Sequence, residues 1–419
     1  MAVNALYTLR RQAQSLRNHC SLALTHRDLP ERHDLLQNAR RNRTRVIPFN
    51  KPIWLGTESS RFSEAIVGNG HVASGGPFGR RCEQVLSRQL GQPTLLTSSC
   101  THALEMAALL LGIEPGDEVI LPSFAFVSTA NAFVLRGATL VFVDVDQNGN
   151  IDPDQVAAAL NPRTRAVVAL HYAGNSCDLS RLLAICGEVP LVEDAAQALG
   201  SAFAERPLGT FGVIGTISFH ETKNVGCGEG GAISLGKAEH LQAAKMIRDK
   251  GTNRQSFLAG LTDKYTWTSL GSSYGLSDLN AAYLLGQLEH FQAIQARRHT
   301  LYAAYAQALS GPLEHVGGYV VRAHPGNTPN HHLFAMVLRN TEQRDAFIAH
   351  MKHHGIVAPF HYVALHRSPM GQRFHAAQRP LEHTDRLSTC LVRLPLFYNL
   401  TDAEQEQVIA RTLEFLDGC

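Results

Sequence analysis

The sequence predicts an α/β fold: a mostly parallel central sheet with helices on both faces, followed by a smaller C-terminal α+β domain. Three observations predict it. Short runs of Val, Ile, Leu and Phe recur between residues 94 and 235, apolar without alternation, as strands buried on both faces are. Helical periodicity fills the intervals between them, which is the pattern of repeated strand–helix–strand units. Beyond residue 235 helical segments take over and the few remaining strand-like runs lie far apart.

In chain order, IPFNKP at 47–52 is an extended arm, because Pro48 and Pro52 exclude helix. Residues 59–66 are helical, and 68–79 form a glycine-rich turn. Gly68 and Gly70 match the first two glycines of a GxGxxG loop, but Ala73 takes the third position and no strand precedes, so a dinucleotide loop is excluded. A strand at 94–97 leads through the polar turn Ser98, Ser99, Cys100, Thr101 into a helix over 101–111. That helix is apolar nearly all round and therefore buried. Strand 118–121, helix 128–135 and strand 139–145 follow, then a helix over 152–160 capped by Asp152 with Pro153 at its first position. Strand 166–172, helix 179–186 and strand 190–193 continue the alternation, the last running into Asp194. A strand at 216–220 delivers Lys223 into a polar turn, and the glycine-dense stretch 226–231 enters a strand at 232–235. Helices are expected at 237–250 and from 277 through 290 to 309. Strands at 319–322 and 333–338 and helices at 343–353 and 402–416 build the last region. The chain thus divides into residues 1–45, a large domain with its arm over 46–295, and a small domain over 296–419.

Composition excludes several classes. With 44% hydrophobic and 18% charged residues in 419, most of the chain is globular. Eight cysteines without a CxxC pair point to a reducing compartment and against structural zinc. No stretch approaches the roughly 18–20 consecutive apolar residues that span a bilayer, so a cytoplasmic protein that does not engage the membrane is expected. Residues 1–45 carry nine arginines, no lysine and three acids, a net of +6, which leaves −4 for the rest of a chain whose formal charge is +2. Without interleaved aromatics this segment is expected to be a disordered or spurious extension rather than a nucleic-acid arm. His350 and His354 share a helix face but lack an acid in a recognised metal motif, so a solvated face and no metal site are expected.

Ligands on parallel sheets lie beyond the carboxyl ends of the strands, and Thr101, Phe126, Asp194 and Lys223 all follow strands. A helix whose first turn is Ser and Thr offers free N–H groups, hydroxyls and the positive end of its dipole to a phosphate. A phosphate turn, an aromatic, an aspartate and a lysine on one sheet edge are the parts that pyridoxal 5'-phosphate (PLP) needs. The lysine joins the aldehyde, and the aspartate keeps the pyridine nitrogen protonated so that the ring accepts electrons.

The segments SCTHALEMAALLLGIEPGDEVILPSFAFVSTANAFVLRGA, HYAG, EDAAQ, SFHETKN, GEGG, KGTNR, DKYTW, GSSY and RLPLFYNL occur in that order. In them the chain resembles the sugar-nucleotide aminotransferases of PLP fold type I, nearest to the branch that makes dTDP-4-amino-4,6-dideoxygalactose. The resemblance runs from about residue 46 to the C-terminal region. It implies that Lys223 carries PLP and moves protons, that Asp194 pairs with the ring nitrogen, and that Gln197 meets the ring's 3-hydroxyl side. Cys100, Thr101 and Ser218 then hold the phosphate and Phe126 stacks on the ring. Relatives that remove a sugar hydroxyl carry histidine at the lysine position, so Lys223 implies transamination. His220, three residues earlier, is expected in the pocket wall.

The implied amino donor is L-glutamate and the acceptor dTDP-4-dehydro-6-deoxyglucose, a dTDP-4-keto-6-deoxyhexose, in a homodimer whose sites are completed across subunits. Where the family has GxNxR this chain has Gly271, Ser272, Ser273, Tyr274, Gly275, so Ser273 stands as the substitute phosphate contact from the second subunit. Tyr362, Val363, Ala364, Leu365, His366 replace the family's YxPLH, and Tyr362 and His366 are expected substrate contacts, while Arg254 in KGTNR is either a contact to the nucleotide diphosphate or a surface charge.

Overall fold

A computed structural model describes residues 46–258, 260–374 and 380–419; the Arg-rich segment 1–45 and the expectation attached to it lie outside the described residues. From Ile47 onward the chain builds one large sheet and a smaller C-terminal layer. The large sheet contains β1 (Thr94–Thr97), β2 (Glu118–Pro122), β3 (Thr139–Val143), β4 (Thr164–Leu170) and β5 (Leu191–Asp194). After a two-strand ribbon, β6 (Ala202–Phe203) and β7 (Arg206–Pro207), it adds β8 (Ile214–Ser218) and β9 (Gly231–Leu235), in the order β1-β9-β8-β5-β4-β2-β3. Pairs from β8 to β3 are parallel, while β9 runs antiparallel to both neighbours. The mostly parallel sheet is therefore as expected.

Both faces of this sheet are buried, which is why its strands read as unbroken apolar runs. In β4, Ala166, Val168 and Leu170 enter one core while Val167 and Ala169 enter the other; in β2, Val119 and Leu121 oppose Ile120 in the same way. The connecting helices carry the expected signals. Asp152 accepts the Asp154 N–H ahead of Pro153, and Asp178 accepts the Arg181 N–H ahead of Leu179–Cys186, each cap contributing roughly 1 kcal/mol.

The C-terminal layer holds β10 (Tyr319–Val320), β12 (Phe334–Val337) and β13 (Leu391–Leu394) in an antiparallel sheet, while β11 (Asn327–Thr328) pairs with the β6–β7 ribbon. Helices Phe291–His315, Thr341–His353 and Asp402–Asp417 close a third core over Leu301, Phe334, Phe347 and Val408. The last helix begins with a capping box between Thr401 and Glu404. The arm is extended as read: Ile47 donates to Gly355 O at 2.8 Å and accepts from Val357 N at 3.0 Å.

Three local readings change. The glycine-rich turn expected over 68–79 ends early: residues 77–90 form a helix opened by Pro77 and closed by Gly91 in the left-handed region, with Phe78, Cys82, Leu86 and Leu90 buried. The glycines before it masked its amphipathic stripe. The long helix runs through Pro312 to His315 rather than ending near Leu309. Helix Glu382–Cys390 and strand β13 also lack a clear sequence signal, being short and polar in one case and interrupted by Arg393 in the other. No helix among the described residues is long and apolar enough to cross a membrane.

Candidate active site

The carboxyl ends of β1, β2, β5 and β8 meet at a cavity of about 600 Å³. Each strand ends in residues that line it. After β1, the Ser99 side chain accepts the His102 N–H at 3.1 Å and its carbonyl accepts the Ala103 N–H at 3.1 Å. The amides of Cys100 and Thr101 thus stand at the open first turn of the Cys100–Leu110 helix, where the helix dipole favours an anion. Gly231 of β9 explains part of the glycine run. A Cβ there would sit 2.4 Å from Cys100 N and 2.4 Å from the Ser99 carbonyl carbon, so the strand presses directly on this turn.

The helix after β2, Val127–Val134, supplies three neighbours in succession. Phe126, its N-cap residue, lies 55% exposed at the cavity, its ring centre 6.2 Å from that of Tyr362. Ser128 shares a 2.7 Å hydrogen bond with the Thr101 hydroxyl. The Thr129 hydroxyl donates to Asp194 Oδ2 at 2.7 Å, and Ala196 N donates to Oδ1 at 3.1 Å.

Strand alternation separates the two acids that end β5. Glu193 points away from the cavity, where its carboxylate accepts Gly209 N at 2.8 Å, Phe211 N at 2.5 Å and Gly212 N at 2.7 Å and pairs with His171 Nε2 at 2.9 Å. It is saturated and structural. Asp194 is 2% exposed, lines the cavity and, among the described residues, has no ion-pair partner within 4 Å. Burial raises its carboxyl above the usual range, opposed by the Thr129 hydroxyl, the Ala196 N–H and the Lys223 charge.

Lys223 follows β8 in a tight turn, its N–H donating to His220 O at 2.9 Å. Asn224 fastens that turn: its Nδ2 donates to Asn330 O at 2.9 Å and its Oδ1 meets His332 Nδ1 at 2.9 Å. Burial holds the Lys223 ammonium below the ordinary lysine range, and the Arg393 charge reinforces the shift against the pull of Asp194. A lysine so placed is a nucleophile that deprotonates readily.

Of the residues predicted from sequence, Lys223, Asp194, Cys100, Thr101, Phe126, Gln197, Ser218 and Tyr362 all line this cavity. Gln197 is held at both ends of its amide, Oε1 accepting Ala173 N at 2.7 Å and Nε2 donating to Tyr362 Oη at 2.9 Å. His220 is in the wall, near Glu229 at 3.6 Å. Three predicted residues lie elsewhere. His366 is clamped between Ser123 Oγ, 2.7 Å from its Nδ1, and Asp385, 3.3 Å from its Nε2, bolting the end of β2 to the C-terminal segment. Arg254 borders a separate small recess beside Arg248 and Asp249. Ser273 is exposed, bridges Asp249 through its backbone and does not line its own chain's cavity. Sequence reading missed Thr129, His332, His361, Arg393 and Phe49 in the wall. Arg393 alone carried a signal, as a charge inside the apolar run LVRLPLF.

A second cavity of about 520 Å³ reaches the other side of the Lys223 turn, walled by Pro52, Ile53, Phe62, Leu279 and Tyr283. It lacks Asp194 and the Cys100 turn, so the chemistry belongs to the first. Away from both, His350, His354 and Glu414 bring possible ligand atoms within 4.8 Å of one another, an acid that sequence spacing did not reveal; Glu414 already pairs with Arg411.

The first cavity fits PLP on three counts: an anion-ready helix start, a buried carboxylate with no cation partner among the described residues, and a lysine of lowered basicity on the same wall. Comparison with known proteins agrees. Residues 55–413 match the DegT/DnrJ/EryC1/StrS aminotransferase family. The aminotransferase TlmJ from Streptoalloteichus hindustanus is similar at 30% identity and TM-score 0.82, over 89% of this chain and 100% of its own. DesV of S. venezuelae, solved in complex with a ketimine intermediate, is similar at 28% identity and TM-score 0.78, over 89% and 99%. The putative sugar aminotransferase Spr1654 from Streptococcus pneumoniae, solved with PLP at 22% identity, TM-score 0.82 and coverage of 89% and 99%, shares the fold. The chain therefore belongs to the DegT/DnrJ/EryC1/StrS family of PLP-dependent sugar aminotransferases, with the fold of type I.

Proposed function

We propose that the protein transfers the amino group of L-glutamate to the 4-keto group of dTDP-4-dehydro-6-deoxy-D-glucose. The products are 2-oxoglutarate and dTDP-4-amino-4,6-dideoxy-D-galactose. The observation that carries the reaction type is the convergence of Lys223, Asp194 and the Cys100–Thr101 turn on one cavity. What supports the sugar is the ordered series of motifs, from SCTHALEM to RLPLFYNL, that resembles the dTDP-4-amino-4,6-dideoxygalactose branch.

When bound, PLP supplies an aldehyde for the lysine and a ring that accepts the electron pair of a carbon losing its proton. The protein's residues do the rest. Cys100 N–H, Thr101 N–H and hydroxyl, and Ser218 hold the phosphate. Asp194, its rotation set by Thr129 and Ala196, holds the proton on the ring nitrogen. Phe126 covers one face at the mouth, and Gln197 borders the 3-hydroxyl side with its amide fixed by Ala173 and Tyr362. Lys223 Nζ would anchor the cofactor; as the free amine it would take the proton from the donor's α-carbon and pass it to the cofactor, and in the second half-reaction it would deliver a proton to C4 of the sugar. Burial lowers its basicity, which favours the free amine that these proton transfers need.

The protein acts as a cytoplasmic homodimer in this reading. Trp54, Ile66 and Val67 are exposed apolar side chains, Ile66 lining the second cavity, and Ser273 is available to a neighbouring subunit. Seven free cysteines among the described residues fit a reducing compartment.

Incubation with PLP, L-glutamate and dTDP-4-dehydro-6-deoxyglucose, followed by NMR of the product, tests the assignment. An axial amine at C4 is expected. Amination at another carbon, or turnover confined to UDP- or GDP-linked sugars, would overturn the substrate while leaving the reaction type.

A further inference from the structure

Arg393 is a cation on the cavity wall with no counter-ion among the described residues. In β13, Val392 and Leu394 enter the C-terminal core while Leu391 faces the opposite cluster with Phe124 and Tyr172, which puts Arg393 on the Leu391 side. A charge at such a position is unfavourable unless something pairs with it. Its guanidinium lies over the Phe49 ring, 4.4 Å from the centroid, and Nη2 donates to Phe360 O at 2.9 Å. Its Nε is buried without a hydrogen-bond partner, and among the described residues it makes no ion pair. The stack and the carbonyl fix the plane of the fork and leave its charge unneutralised. Burial lowers its basicity, and its charge bears on Lys223, His332 and His361.

The other charges of the wall have partners or roles: Glu229 faces His220, Asp194 and Lys223 serve the cofactor, and the Cys100 turn serves its phosphate. Two anionic groups of the substrates remain, the donor's carboxylates and the nucleotide's diphosphate. The diphosphate hangs on C1 of the sugar, across the ring from the keto carbon that must reach Lys223. A donor α-carboxylate is bonded directly to the reacting carbon. Arg393 lines the same cavity as Lys223; a cation on that wall suits the carboxylate, and a planar fork matches it bidentately.

We propose that Arg393 binds a carboxylate of the amino donor and of the 2-oxo acid it becomes, leaving the nucleotide to other residues. This rests on the amino-transfer reading above. The test uses the full-length chain with Arg393→Gln and Arg393→Lys. Calorimetric titration of the cofactor-free proteins with 2-oxoglutarate and, separately, with dTDP gives two independent arms. The glutamate-driven change in the PLP spectrum adds KM against kcat.

Arg393→Gln is expected to weaken 2-oxoglutarate about 10- to 100-fold, the loss of a charge-assisted fork, with dTDP binding unchanged. Arg393→Lys is expected to recover only part of it, since an ammonium lacks the fork. Unaltered 2-oxoglutarate affinity, or an equal or larger loss for dTDP, overturns the assignment. Should Arg393→Gln fail to fold, Arg393→Lys decides: a fivefold or greater loss for 2-oxoglutarate alone supports the role, and none refutes it. These carboxylate effects in the variants, together with a wild-type protein that aminates no dTDP sugar, refute the sugar assignment and support this one.

Discussion

Gly231→Ala tests whether the phosphate turn is built on contact with β9. An ideal Cβ at this position would lie 2.4 Å from Cys100 N, 2.4 Å from the Ser99 carbonyl carbon and 2.6 Å from Ser99 O. Non-bonded carbon contacts settle near 3.5–4.0 Å, so one side must retreat by about 1 Å. The strand cannot retreat freely, because Gly231 is in register with Thr97 of β1 and Ser218 of β8. The turn moves instead, and with it the amides of Cys100 and Thr101 and the Ser99 cap on His102. Overpacking of this kind costs about 1–3 kcal/mol of stability. Misaligned donors to a charged phosphate cost a further ~1.5–3 kcal/mol of affinity, or roughly 10- to 100-fold in PLP binding. The assay is absorbance titration of the cofactor-free variant with PLP, beside its melting temperature. Gly311→Ala, on a helix where the added methyl meets nothing within 4 Å, serves as the control and should bind PLP as wild type does. A Gly231→Ala protein with wild-type PLP affinity would mean that the turn is not the phosphate site, or that it does not depend on this packing.

Two further predictions concern the charged residues. Glu193→Gln keeps one acceptor oxygen but removes the charge that gathers Gly209, Phe211, Gly212 and His171. It should lower stability by about 2–3 kcal/mol by chemical denaturation while PLP still binds one per chain; loss of PLP binding with unchanged stability would contradict the structural role assigned to it. For Lys223, the depressed folded pKa means that between that value and the usual 10.5 the unfolded chain binds more protons than the folded one. Stability of the cofactor-free protein therefore rises with pH across that window, and below it the full cost of the buried ammonium is felt. Lys223→Met should flatten this component, so that the stability of wild type relative to Met grows as pH rises; a pH-independent difference would show that the lysine is solvated.

The parts of the site that were legible in sequence share one property: their signal is local. Cys100 and Thr101 open a helix just after a strand, Asp194 ends a strand, and Lys223 follows one, so sheet topology alone delivers them to a common edge. Tyr362 and Gln197 came only from motif resemblance, and the structure brings them together at 2.9 Å. Residues that were not legible owe their place to contacts remote in sequence. Thr129 looks like any helix threonine until Asp194, 65 residues on, is folded against it. His332 becomes part of the lysine turn only through Asn224, 108 residues before it. Conversely His366, grouped with the substrate contacts by its motif, finds Ser123 and Asp385 instead. Physical chemistry near the chain selects which strand ends can carry chemistry; long-range closure decides which partners hold each group in its working state. Glu193 and Asp194 show the division most sharply. They are adjacent acids of one type on one strand, and pleat alternation sends one to a saturated nest of amides and the other to the cavity. Only the second faces the cavity without an ion-pair partner among the described residues, and that difference, invisible in EDAAQ, is what suits it to a bound cation.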